Sequence, residues 1–188
     1  MIEHKRIFIN GQWVESEAVE SIAVVNPATE DIVAWVPSGG ENDVHRAAQA
    51  ASAAFDSWSR SPIAERVEIF RKMARLTEAR ADEITRSIVT ELGYPITWAA
   101  KSQTAGAVEE LEIIAKTLQQ IAWTEQVGNT QVSREPSGVV AAITAWNAPL
   151  RSVISKAGAA IAAGCTVVLK PSEVAPLTAF IFAEITAQ

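Results

Sequence analysis

Two short polar clusters, each closing an apolar run, carry the side chains best suited to chemistry: Thr144-Ala145-Trp146-Asn147 and Lys170-Pro171-Ser172-Glu173. Lys170 and Glu173 offer an ammonium donor beside a carboxylate acceptor, a pair able to grip both hydroxyls of a vicinal diol such as a ribose. The same spacing equally suits an ordinary ion pair on a solvated strand end. Asn147 sits where a helix N-cap is wanted, and its amide offers both an acceptor oxygen and a donor nitrogen. No metal is expected, because His4 and His45 are isolated and Cys165 is the single cysteine, so no ligand cluster has a recognisable spacing. A Gly-x-Gly-x-x-Gly phosphate-binding turn is also missing.

The clusters need elements to hold them. The β-branched run at 139–143 after Gly138 predicts a strand buried on both faces. Pro149 suits the first turn of a helix, in which Leu150, Val153, Ile154, Ala157 and Ile161 recur at helical spacing. Gly158, Ala159, Ala160, Ala162 and Ala163 would let that helix lie close against a sheet, and Gly164 supplies a left-handed stop. Residues 166–169 form a second buried strand. Such a strand–helix–strand unit makes the two strands parallel, with a right-handed crossover. Their carboxyl ends, where open parallel sheets collect ligands, then carry the two polar clusters.

Upstream, 7–9 and 12–14 flank Asn10-Gly11, a tight-hairpin signal. Residues 21–25 and 31–36 form a second strand pair across Asn26-Pro27-Ala28-Thr29-Glu30. After Gly39-Gly40, Glu41-Asn42-Asp43 opens a helix with Val44, Ala47, Ala48, Ala51, Ala54, Phe55 and Trp58 as its apolar face. Ser61-Pro62 reads as an N-cap and first-turn proline for the next helix. A further helix at 81–92 stops at Gly93, and another runs from Pro95 to about Trp123. The helical spacing of the aromatics marks them as core. Polar, alternating residues 126–135 around Gly128-Asn129 read as a projecting hairpin.

The composition is that of a soluble globular protein, 48% apolar and 20% charged over 188 residues. Its net charge of −6 argues against nucleic-acid and anionic-membrane partners. No apolar run approaches a bilayer span, and Met1-Ile2-Glu3-His4-Lys5 lacks the apolar core of a secretion signal, so a cytoplasmic location is expected. One cysteine cannot form an intrachain disulfide.

Trp146-Asn147-Ala148-Pro149 and Gly164-Cys165-Thr166-Val167-Val168-Leu169-Lys170-Pro171-Ser172-Glu173 resemble the NAD(P)-dependent aldehyde dehydrogenase superfamily. The resemblance continues upstream through Glu135-Pro136-Ser137-Gly138-Val139, Glu91-Leu92-Gly93-Tyr94-Pro95 and Asn26-Pro27-Ala28-Thr29-Glu30, in family order. It implies an α/β fold with N-terminal strands and helices (1–125), an oligomerisation hairpin arm (126–136), and the first part of a Rossmann-like dinucleotide-binding parallel sheet (137–188). It also implies oxidation of an aldehyde to a carboxylic acid through a cysteine thiohemiacetal, in a homo-oligomer.

By the same resemblance Asn147 becomes an oxyanion donor. Lys156 takes a position near the active site suited to proton relay, or is simply a helix-surface lysine. Ile143, Thr144, Ala145 and Trp146 line the cofactor cleft mainly through backbone, while Lys170, Ser172 and Glu173 hold the adenosine ribose. A carboxylate at the ribose favours NAD over NADP, although rotation of Ser172 and Lys170 would admit the extra phosphate. Ala148, Arg151 and Ser155 stand where members often carry tunnel aromatics, which suits a bulky or charged aldehyde. Cys165, with no cation nearby, reads as an inert core thiol rather than the nucleophile. Members are much longer, and their nucleophile, general base and later glycine signature fall outside these residues. The 188-residue chain alone is therefore expected to be inactive. The alternative is a non-catalytic nucleotide-binding or oligomerisation module.

Overall fold

The computed structural model describes residues 2–188; Met1, part of the start read as lacking a secretion signal, lies outside the described residues. A short strand β1 (Ile2–Glu3) precedes β2 (Arg6–Ile9) and β3 (Gln12–Glu15). Asn10 and Gly11 both take positive φ, 51° and 73°, the turn whose twist matches a tight antiparallel hairpin. Strands β4 (Ser21–Val25) and β5 (Ile32–Pro37) pair antiparallel, and β1 joins β5 in parallel to give the order β1-β5-β4.

Helix α1 (Glu41–Ser59) starts where expected, and Ala47, Ala51, Phe55 and Trp58 of its expected face are buried or half-buried, but the rest of that face is not. Asp43 is buried and accepts hydrogen bonds from Ser16 Oγ at 2.6 Å and from the Glu17 and Gly40 N–H groups at 3.1 Å. Burial works to raise its pKa, but these bonds and the nearby Arg46 outweigh it and hold the carboxyl below its usual range. With the carboxylate anchored inward, Val44 is left 61% exposed and Ala48 and Ala54 face solvent. An apolar count cannot register a buried aspartate.

Helix α2 (Ile63–Ala79) takes Pro62 as its N-cap residue. Ser61 turns back instead, donating from Oγ to the Trp58 carbonyl at 2.6 Å. Helix α3 (Ala81–Leu92) ends as expected at Gly93, φ 67°, whose N–H bonds the Val89 carbonyl. Helix α4 spans 96–118 and includes a π-helical turn, Ala99–Thr104, before its long segment Ala105–Leu118. It stops short of Trp123, whose indole N–H instead donates to the Leu118 carbonyl and closes the helix end. Strands β6 (Thr124–Val127) and β7 (Thr130–Ser133) form the exposed antiparallel hairpin, turning at Gly128 with φ 60°.

Strands β8 (Val139–Ile143) and β9 (Thr166–Lys170) are parallel, in register from Val139 opposite Thr166 to Ile143 opposite Lys170. Helix α5, residues 149–162, connects them and carries a second π-helical turn, Ile154–Gly158. Helix α6 (Leu177–Thr186) follows. Burial of β8 on both faces does not hold: Ala142 is buried, but Val139 is 42% and Ile143 76% exposed. It is β9 whose Thr166 on that face is covered, by its bond to the Ala51 carbonyl of α1. Nor does Gly158 pack against the sheet. A Cβ there would meet Ile114 Cδ1 at 3.3 Å and Phe70 Cε1 at 3.6 Å, so its closeness serves α2 and α4. Those helices, with α3 and α5, enclose the main core around Phe70, Ile84, Ile88, Leu111, Leu150 and Ile154. Among the described residues no helix is long and apolar enough to cross a membrane.

Glu91 is buried at the end of α3 and accepts the Leu177 N–H at 2.6 Å, anchoring the start of α6, with Ser87 Oγ also donating at 3.2 Å. Burial pushes its pKa from 4.5 up to about 7, more than these bonds pull it down. The folded state thus holds a proton that the unfolded chain has lost between those values. Stability is greatest below the unfolded pKa and falls as pH rises toward about 7, by on the order of 3 kcal/mol. Glu91→Gln is expected to flatten the unfolding midpoint between about pH 5 and 7. An unchanged slope in denaturation curves would contradict this.

Candidate active and cofactor site

The parallel register puts both polar clusters at one end of the strand pair. Ile143 lies opposite Lys170, and the Thr144 N–H donates to the Lys170 carbonyl at 3.2 Å, extending the ladder one residue past the strand. Asn147 therefore leaves β8 at the same edge from which Glu173 leaves β9. Lys170 Nζ donates to Glu173 Oε2 at 2.6 Å, with the two side chains 58% and 56% exposed. That hydrogen bond holds the Glu173 carboxyl below its usual pKa, so it stays an acceptor. Ser172 is partly committed, its Oγ accepting the Val174 N–H at 3.3 Å. Ile143, Trp146 (52% exposed) and Val174, in the segments that follow the strand tips or close them, are exposed apolar residues.

Asn147 does not cap the helix. Ala148 occupies the N-cap position, with no side-chain cap bond, and its carbonyl accepts the first helical N–H from Ser152 at 2.7 Å. Pro149 takes the first helical position as expected. The turn before it swings Asn147 to the surface, which leaves the carboxamide exposed and its donors uncommitted to the helix. The Asn147 main chain is held instead by Tyr94, whose hydroxyl donates to its carbonyl at 2.7 Å. Lys156 is exposed on the π-helical turn further along α5.

Arg151 lies along α4: a Cβ on Gly106 would come within 3.4 Å of its side chain, and its Nε is 3.6 Å from Glu110 Oε2. Ser155 Oγ donates to the Ser152 carbonyl. Cys165 is buried beside Ser137 Oγ at 3.6 Å, as suits a core thiol. The expectation that no cation lies near it is wrong, since the Arg66 guanidinium lies beside the preceding residue, 2.7 Å from where a Cβ on Gly164 would stand.

A profile of the aldehyde dehydrogenase family matches residues 13–188. This chain belongs to that family. Among its relatives, the 3-succinoylsemialdehyde-pyridine dehydrogenase of a Pseudomonas species is 40% identical over 186 residues, covering 98% of this chain and 39% of that protein. Aldehyde dehydrogenase C of Pseudomonas syringae, solved with NAD+ and octanal, superposes with a TM-score of 0.95 at 42% identity, covering 97% of this chain and 38% of that one. Mycobacterium tuberculosis aldehyde dehydrogenase, solved with NAD+, gives 0.94 at 37% identity, covering 99% and 40%. The α/β architecture is thus that of the N-terminal region of aldehyde dehydrogenases, and the chain spans about two-fifths of their length.

Sequence reasoning missed two residues here. Arg66 interrupts an apolar stripe, and counting apolar positions passes over it. Tyr94 is flanked by Gly93 and Pro95, a fixed backbone that could have marked an aimed side chain.

Proposed function

We propose that residues 1–188 are the N-terminal portion of an enzyme that oxidises an aldehyde to a carboxylic acid with NAD+, NADP+ being the alternative. The observation that carries the reading is the pairing of Ile143 with Lys170, which sets Asn147 and the Lys170–Glu173 couple on one edge of the sheet. The couple is exposed and already bonded, a donor and an acceptor at the spacing of adjacent ribose hydroxyls, so these residues fit the cofactor's adenosine end. Ile143, Thr144, Ala145 and Trp146 would flank it, and Ser172 would add a hydroxyl. Glu173 disfavours a 2′-phosphate by like charge. Bound NAD+ supplies the hydride acceptor.

Asn147 donates its amide N–H to the carbonyl oxygen of the aldehyde as that oxygen becomes an oxyanion under attack by a cysteine thiol, which lies outside this chain. A neutral amide stabilises the charge without itself titrating. Lys156 serves as a proton relay from helix α5, which follows Asn147. Arg151 and Ser155 give the aldehyde side a polar wall suited to a bulky or charged substrate, and the semialdehyde named for the Pseudomonas relative agrees with that class. The β6–β7 hairpin, exposed throughout, is the arm through which copies associate, and the protein works in the cytoplasm. Residues 1–188 alone turn over no aldehyde.

Calorimetric titration of the chain with NAD+ tests this reading. Glu173→Ala and Lys170→Ala are each expected to weaken binding roughly ten- to a hundredfold, the value of a charge-assisted hydrogen bond. Binding that is unchanged in both variants would contradict the assignment.

A further inference from the structure

We infer that Tyr94 is a positioning residue for the oxyanion donor, an inference that rests on the role proposed for Asn147. Asn147 stands on an irregular segment. Its neighbour Thr144 is tied to the sheet by the bond from its N–H to Lys170, and Ala148 to the helix by the bond its carbonyl accepts from Ser152. Among the described residues, the contact from Tyr94 is the hydrogen bond that reaches the backbone between those two anchors.

The donor comes from a rigid place. Gly93 is fixed in the left-handed region at φ 67°, where a side chain is strained, and a Cβ would also meet Pro27 Cγ at 3.3 Å. Pro95 follows and narrows the backbone of the residue before it to extended conformations. Tyr94 is therefore held from both sides, and its ring packs against the main core. A phenylalanine would keep every one of those apolar contacts. The hydroxyl alone reaches the site, at 2.7 Å from the Asn147 oxygen.

Fixing that carbonyl fixes the plane of the peptide joining Asn147 to Ala148, and with it the direction in which the carboxamide leaves the chain. An oxyanion donor must be aimed before the charge forms, since reorienting it during the reaction costs rate. The Tyr94 hydroxyl supplies this pre-aiming without touching aldehyde or cofactor.

The test is a double-mutant cycle of Tyr94→Phe and Asn147→Ala in the complete dehydrogenase subunit, with activity expressed per titrated active site. It is read beside amide hydrogen exchange across residues 145–150 of the 188-residue chain. Tyr94→Phe is expected to lower kcat and kcat/KM alike by roughly three- to tenfold, leaving the aldehyde KM in place. It should also speed exchange across 145–150. In the Asn147→Ala background the same change should alter kcat by less than about twofold, because no donor remains to be aimed. A loss of equal size in both backgrounds would mean that Tyr94 merely supports the fold, and would overturn the inference. Unchanged kinetics or unchanged exchange in Tyr94→Phe, with Asn147→Ala still severely impaired, would overturn it while the proposed function stands. If Asn147→Ala itself kept full activity, both would fall.

Discussion

Replacing Asn147 with alanine is expected to lower kcat/KM of the complete dehydrogenase by about a hundred- to a thousandfold, the effect of removing one oxyanion donor. The loss should fall on kcat, because the amide meets a charge present only in the transition state. NAD+ affinity should stay near its starting value, since Lys170 and Glu173 hold the cofactor on the other strand tip. The structure sharpens this expectation. A capping asparagine would lose helix stability when truncated, but here Ala148 is the N-cap residue and Asn147 makes no side-chain cap bond. Asn147→Ala should therefore fold as well as the parent, and a large drop in thermal midpoint would argue for a structural residue instead. Steady-state kinetics beside a thermal melt decides between the two.

The second large effect is on stability. Arg66 is buried, and its guanidinium donates to the Ser61 hydroxyl and to the carbonyls of Trp58, Ser59 and Ala162. It thereby satisfies the orphan carbonyls at the ends of α1 and α5 together, and it also lies over the Trp58 ring at 5.6 Å. Burial pulls its pKa down, as it must for a cation held by carbonyls rather than by a carboxylate. Arg66→Leu would strand those acceptors and leave a void, costing about 3–5 kcal/mol and lowering the melting midpoint by roughly 10 °C. Gly164 belongs to the same device. At φ +92° a Cβ there would stand 2.7 Å from Arg66 Nη1, so the glycine is required by the turn and by the arginine at once. Chemical denaturation of Arg66→Leu checks this, and a change within about 1 kcal/mol would mean that water replaces the guanidinium.

Much of this fold can be read in the chain because local chemistry decides it. Asn10-Gly11 selects its turn, Gly93 its helix stop, and the strand–helix–strand pattern at 139–170 its parallel pairing. Several of the misreadings arise where a side-chain hydrogen bond overrides the apolar pattern. Asp43 turns inward because Ser16 and Glu17 donate to it from another part of the chain, beside the local bond from the Gly40 N–H. Helix α4 stops early because the Trp123 indole closes it. The candidate site was legible in its residue types, since Lys170 and Glu173 need only neighbouring positions to pair. The state of Asn147 was not, because it depends on a hydroxyl 53 residues away in the chain.

The central claim is that the tips of two adjacent parallel strands receive one cofactor. The most direct measurement is titration of the isotope-labelled chain with NAD+, followed through its backbone amide resonances. Residues 143–147 and 170–173 should shift together along a single binding curve. Shifts confined to one tip, or no shift at either while the chain stays folded, would contradict the claim.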